Sequence, residues 1–245
     1  MKEKLFLIPL LLCLALFSLS RPGLAGSLTS IPTDLDRLEE EGWTSVSPGV
    51  MQRTLEGDKI ETLGFGADGL RFELAELQAH LAFLKKEYSA HPSRKLRLAV
   101  RAQRAAVLRV EAALRKAEAT GGLQSSREAI LAEGGDCPVN YDATADAFPV
   151  TQGVSAGANA SFNNDCAYSG EVYAHAYAKA TNAANQVATV TQSDPAPNTP
   201  RIGANVTAAA TAGVNGVKDC YSYAYSSVLN YDLGISYSLS DTNTL

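Results

Sequence analysis

The 245-residue chain carries 21 Lys and Arg against 26 Asp and Glu, a formal net charge of −5. That balance gives no global drive toward nucleic acid or anionic surfaces. Three scattered histidines, and the absence of GxSxG, HExxH, P-loop, EF-hand or paired CxxC patterns, leave cofactor, metal and nucleophilic-triad chemistry without a motif.

Residues 1–25 read as a secretory signal. Lys2 and Lys4 open it, Leu5 to Leu19 is apolar, and Gly23-Leu24-Ala25 places small residues before an expected cleavage point. Cleavage after Ser20 is the alternative. No later stretch reaches the roughly 18 unbroken apolar residues of a membrane span. A secreted, periplasmic or extracellular location is therefore expected. Three cysteines, Cys137, Cys166 and Cys220, follow the leader. In an oxidising compartment this odd number predicts one disulfide and one leftover thiol. Their spacing and lack of nearby histidines make a poor zinc site.

Residues 26–67 are expected to hold a short helix over Thr33–Glu41, stopped by Gly42, and then a small β-hairpin. Its strands would be Trp43–Val46, Val50–Leu55 and Ile60–Phe65. Trp43 suits a core residue under the hairpin better than a ligand platform. Gly64, Gly66 and Gly69 spell GxGxxG, but no βαβ unit follows. The glycines are read as the start of the next helix, with Asp68 as its cap.

Residues 68–135 carry the strongest pattern. Leu70, Leu74, Leu77, Leu81, Leu84 and Tyr88 recur at four-three spacing; Leu96, Val100, Gln103, Val107, Val110, Leu114 and Ala117 do the same. With only Ser89–Ser93 between them, an antiparallel helical hairpin is predicted. A capping box at Ser125-x-x-Glu128 opens a short third helix. Phe72, Phe83, Leu98 and Leu108 lie off the seam and predict docking on a third surface: that helix, a β domain or a second copy. Gln103 is read as a register device. Arg94, Arg97, Arg101 and Arg104 fall on one stripe. This is a candidate contact for an anionic partner; the alternative is a solvated face that discourages self-association.

Residues 136–245 form the predicted β domain, an antiparallel sandwich with a barrel as the alternative. Val154, Ala156, Ala158, Ala160 and Phe162 alternate on one face, as do Val172, Ala174, Ala176, Ala178 and Ala180. Val206–Val214 repeats Val154–Phe162, and Asp219-Cys220 repeats Asp165-Cys166, which suggests two related hairpins. Cys166 and Cys220 share the small-residue side. They could join the two hairpins, although a bond from Cys137 to either would fasten the leading segment and is preferred. The aspartates of this domain are read as turn residues. The opposite face carries Tyr173, His175, Tyr177, Tyr221, Tyr223 and Tyr225, a candidate binding surface for a glycan or a protein. The bland alternative is cross-strand packing or a covering helical hairpin. His80 is read as a polar position of its helix.

The fold expected is thus α+β: an N-terminal antiparallel helical hairpin followed by an all-β sandwich domain. The function expected is a non-catalytic secreted or cell-envelope protein whose sandwich binds a partner protein or glycan. The helical hairpin would be a spacer or assembly element and could form a homo-oligomer. No cofactor, metal or nucleic acid is called for. A secreted hydrolase with an unsigned carboxylate pair, or an inhibitor presenting loop 193–200, are the alternatives.

Overall fold

The computed structural model describes residues 26–28, 35–57, 59–120, 139–164, 170–193 and 204–244. Among them are three helices and eleven strands. The helices are α1 (Leu35–Glu40), α2 (Gly66–Ala90) and α3 (Arg94–Thr120). The strands are β1 (Gly26–Leu28), β2 (Thr44–Ser47), β3 (Val50–Thr54), β4 (Ile60–Phe65), β5 (Val139–Val150), β6 (Gly153–Asn164), β7 (Gly170–Asn182), β8 (Val187–Ser193), β9 (Ala204–Gly213), β10 (Val217–Asn230) and β11 (Ile235–Thr244). The expected leader, the third helix at 125–131, Cys137, Cys166 and most of the 193–200 loop lie outside the described residues.

The strands form two antiparallel sheets, one ordered β1-β5-β6-β9 and the other β2-β3-β4-β11-β10-β7-β8. Their facing sides share one core. Its middle is built from alanines: Ala156, Ala158 and Ala160 of β6, Ala208, Ala210 and Ala212 of β9, and Ala174, Ala176, Ala178 and Ala180 of β7. Tyr141, Phe162, Phe65 and Tyr237 fill it where more space is left. The strict period of two places every one of these on the buried side.

The layout corrects the expectation of a helical hairpin followed by a self-contained sandwich. The molecule is mixed and mostly antiparallel β, with its helices inserted into the strand order. β4 precedes the helices and pairs with the last strand, β11, from Ile60↔Ser240 to Phe65↔Ile235. β1 pairs with β5. Residues 26–67 therefore complete both sheets instead of standing apart from them. Their pattern was legible as a hairpin, but a β-hairpin's own residues do not announce which distant edge it will extend.

The repeat also takes a different form. β6 and β9 lie side by side in one sheet, with Val154↔Ala212 and Phe162↔Ala204 in register. β7 and β10 lie side by side in the other. Each repeat is an arch with one strand in each sheet, not a hairpin within one. β5 is also a strand: Tyr141, Ala143, Ala145 and Ala147 point inward while Asp142 and Asp146 occupy the other face. Several of the aspartates expected at turns, including Asp142, Asp146, Asp219 and Asp241, lie within strands.

The helical hairpin forms as expected. Leu70, Leu77, Leu81, Leu84, Leu96, Val107, Val110 and Leu114 are buried along the two seams. Gln103 donates from Nε2 to the Leu77 carbonyl at 3.0 Å, a polar pin between the helices. α2 leaves β4 without a loop. Gly66 takes φ 64°, and Gly64 and Gly69 approach so closely that a Cβ on either would meet the other's backbone. Phe65, not Asp68, occupies the cap position; Asp68 accepts from Arg71 at 2.7 Å instead. The three glycines are thus a strand-to-helix joint.

Candidate functional site

The third surface under the helical hairpin is the outer face of the seven-stranded sheet. The residues that reach it differ in part from those expected. Leu70, Leu77 and Leu81 meet Tyr173, Tyr225 and Leu229. Leu84 and Leu96 meet Tyr177, with half-buried Phe83 beside it. Phe83 stands edge-on to Tyr177, ring centroids 5.0 Å apart. Leu98 and Leu108, expected to help dock the hairpin, are 51% and 53% exposed.

The structure brings together all six residues of the tyrosine face, but beneath the hairpin. Tyr173, His175, Tyr177 and Tyr225 are buried, and Tyr221 and Tyr223 are half-buried. A binding surface open to a glycan or protein is therefore corrected to an internal interface. The physical reason is that the rings supply the apolar area the two-helix unit lacks by itself.

This interface is also ionisable. On α2, Glu73, His80 and Glu87 are spaced seven apart, each three residues after a seam leucine, and all three are buried against the sheet. Tyr225 donates its hydroxyl to Glu73. Burial raises the Glu73 carboxyl to about 7, with the Tyr225 hydrogen bond working against that rise. Tyr177 donates to Glu87 Oε2 at 2.5 Å, and Lys179 Nζ reaches the same oxygen at 3.2 Å. Between these two carboxylates, His80 meets His175 edge to face with centroids 3.6 Å apart, and Tyr223 stands 5.1 Å from His80. Burial lowers His80 to about 3. It lowers His175 well below its ordinary value, and the neighbouring His80 adds to the effect. His80 Nε2 and both ring nitrogens of His175 are buried without a hydrogen-bond partner. At the edge of the sheet, buried Glu171 is held by Arg109 of α3 and accepts from the Tyr231 hydroxyl at 2.7 Å.

The signal for Glu73, His80 and Glu87 was present in the sequence as a second seven-residue period. A polar residue every seventh position is the same pattern an exposed stripe produces, so the leucine seam alone did not distinguish them.

A second tyrosine–carboxylate contact lies in the sandwich. Tyr237 donates to Glu61, which also holds Arg53, and the Arg53 guanidinium sits 4.6 Å from the Trp43 ring centre. Trp43 is a buried core residue. Cys220 is a free thiol within the inter-sheet core, on the small-residue side as its parity predicted, and burial raises its pKa.

The arginine stripe faces outward. Arg94, Arg97, Arg101 and Arg104 are all exposed, and no carboxylate pairs with them among the described residues. The contrast lies within the same helix and its neighbour. Arg109 is held by Glu171, Arg115 pairs with Glu111, and Arg71 of α2 pairs with Asp68 and Glu118. At the hairpin turn a cavity of about 250 Å³ is lined by Tyr88, Pro92, Ser93, Arg94 and Arg97. No carboxylate lines it, which gives a paired-carboxylate hydrolase no support there. Among the described residues no three His, Cys, Asp or Glu side chains are placed to hold a metal ion, and no helix is long and apolar enough to cross a membrane.

No family model matches the chain, and no curated protein matches it. Among solved structures it is similar to the Northeast Structural Genomics Consortium target SoR45, at 8% identity and a TM-score of 0.22, over 44% of this chain and 84% of that one. It is also similar to BeR40, a target from Bordetella pertussis named for ApaA, at 12% identity and a TM-score of 0.20, over 45% of this chain and 92% of that one. Likenesses at those scores say nothing about function.

Proposed function

We propose that this chain is a non-catalytic secreted or cell-envelope protein that binds an acidic polysaccharide along the outer face of α3. One observation carries the reading: four exposed arginines in a row with no carboxylate partner, on a helix whose other buried-side and C-terminal arginines are paired. Arginines left free of ion pairs keep their forked donors available for sulfate or carboxylate groups. Ten residues of helix give a straight row about 15 Å long, which suits a polymer with charges repeated along its length. The chain's acidic balance confines attraction to this face and disfavours broad polyanion binding. The sandwich then acts as the rigid support, and the hairpin, expected to be a spacer, carries the contact.

The test is binding of a sulfated or uronate polysaccharide by the mature chain at two salt concentrations. Salt-dependent binding is expected, lost on replacing Arg94, Arg97, Arg101 and Arg104 with Gln, while anionic vesicles are not bound. Equal binding by the Gln variant, or a preference for vesicles, would overturn the reading. The hydrolase and inhibitor alternatives gain nothing comparable: the buried carboxylates Glu61, Glu73, Glu87 and Glu171 each accept from a tyrosine hydroxyl, and the loop an inhibitor would present lies mostly outside the described residues.

A further inference from the structure

We propose that the helical hairpin is an acid-released cover over the tyrosine face of the seven-stranded sheet, with His80 and His175 as its trigger. The two imidazoles touch edge to face at 3.6 Å in the middle of the contact between α2 and the sheet, and three of their four nitrogens have no partner there. Uncharged, such a pair is tolerated as aromatic packing. Charged, it is not, because a buried imidazolium needs a partner.

The surrounding groups offer none. On α2 itself, Glu73 and Glu87 lie one heptad away in either direction and are engaged by Tyr225 and by Tyr177 with Lys179; Glu76 sits at the solvent edge. β7 contributes Glu171, already held by Arg109 and Tyr231, together with Tyr173, Tyr177 and the cation Lys179. β10 contributes Tyr221, Tyr223 and Tyr225. α3 contributes Gln103, bonded to the Leu77 carbonyl, and Arg109. β8 has no ionisable residue in its sequence. A proton on either ring therefore meets a second imidazole, and the one carboxylate left, Glu76 a helical turn before His80, lies at the solvent edge.

The sign follows from linkage. Both histidines have folded values below the usual 6.5, so the covered state takes up fewer protons than the released state as pH falls below 6.5, and the cover weakens. Glu73 works the other way. Raised to about 7, it holds a proton in the covered state and strengthens it between about 7 and its ordinary value of 4.5. Glu76 is raised by burial in the same way, so two histidines stand against two carboxyls. His80 and Glu73 nearly offset one another, and His175, lowered well below 6.5, outweighs the smaller rise of Glu76, which leaves a net acid-driven release. Between pH 6.5 and 4.5 His80 alone favours release by on the order of 50-fold and Glu73 opposes it by a similar factor, so the net gain is set by His175. The sandwich lacks this sensitivity: its core holds no histidine, its Cys220 and Tyr237 are raised and so stay neutral in acid, and Asp241, whose pKa is raised by burial, is not weakened by acid. Gly66, in its left-handed conformation between β4 and α2, is the joint about which the hairpin would move.

The test is amide hydrogen exchange of the mature chain at pH 6.5 and 4.5, corrected for the intrinsic exchange rate. Protection in α2 and α3 should fall about tenfold or more while β10 and β11 keep theirs. The ratio between the two pH values should shrink to near one or below in the His80→Gln/His175→Gln variant. His80→Gln alone, should the double variant fail to fold, ought to lower the ratio by on the order of 50-fold. Hairpin protection unchanged at pH 4.5 would overturn the proposal. So would a variant with the same pH ratio as the wild type, or loss of β10 and β11 protection together with the hairpin's.

Discussion

The two faces of the seven-stranded sheet are built from the same strands and do opposite things. On β7 the residues Val172, Ala174, Ala176, Ala178 and Ala180 face the other sheet, and Glu171, Tyr173, His175, Tyr177 and Lys179 face the helices. The inner face is small, apolar and closed. Its cohesion comes from close approach of two backbones, and it carries no histidine or carboxylate on β7 that would respond to acid. The outer face is aromatic and ionisable, and each carboxylate buried there is met by a tyrosine hydroxyl. The lesson is that one strand can pair a fixed packing surface with an adjustable one, because alternation keeps the two chemistries apart.

That contrast can be broken most severely from the inside. Ala176→Leu pushes extra carbons between two alanine layers with no room to relax. It should cost about 3 kcal/mol or more, read as a lower midpoint in urea unfolding. On the outside the largest effect is one of pH. Glu73 has a raised folded value, so its contribution is present below its ordinary 4.5 and lost as pH rises through about 7. Between pH 4.5 and 8 the wild-type chain should lose about 3 kcal/mol of stability from this one group, and Glu73→Gln should flatten that limb of the pH–stability curve. Next comes Tyr177→Phe, which takes the hydroxyl from buried Glu87 while Lys179 stays. It should cost about 1–2 kcal/mol, and the loss should be confined to the hairpin in hydrogen exchange. The smallest effect belongs to the solvent side of α3. Arg101→Ala should change stability by less than about 0.5 kcal/mol, which separates the arginine row from every buried group as a feature the fold does not require.

Much of the sheet's alternation and the whole helical seam could be read from the residues, since period two and heptad spacing are local properties. What could not be read was long-range. Nothing in Ile60–Phe65 specifies pairing with Ile235–Ser240, and the Val154 and Val206 repeats look alike whether their arms fold back within a sheet or cross between two. The tyrosine face was assigned to the correct side of the strand, but which surface covers it depends on where β4 delivers the helices. His80 is not legible as buried for a related reason: a histidine among Leu77, Leu81 and Leu84 differs from a solvated one only through what lies opposite, and His175 is 95 positions away.

The pairing of β4 with β11 has a further consequence, for the order in which the chain can reach its final state. β4 lies between β3 and β11, so one of its edges stays unpaired until the last strand arrives. Contacts this distant in sequence close slowly, because the loop entropy must be met before the pairing is gained. The helices, by contrast, can form as soon as residues 66–120 are available. Folding should therefore pass through a stage in which the hairpin is helical and β4 still offers an open edge. A chain truncated before β11 should collect there and self-associate through that edge.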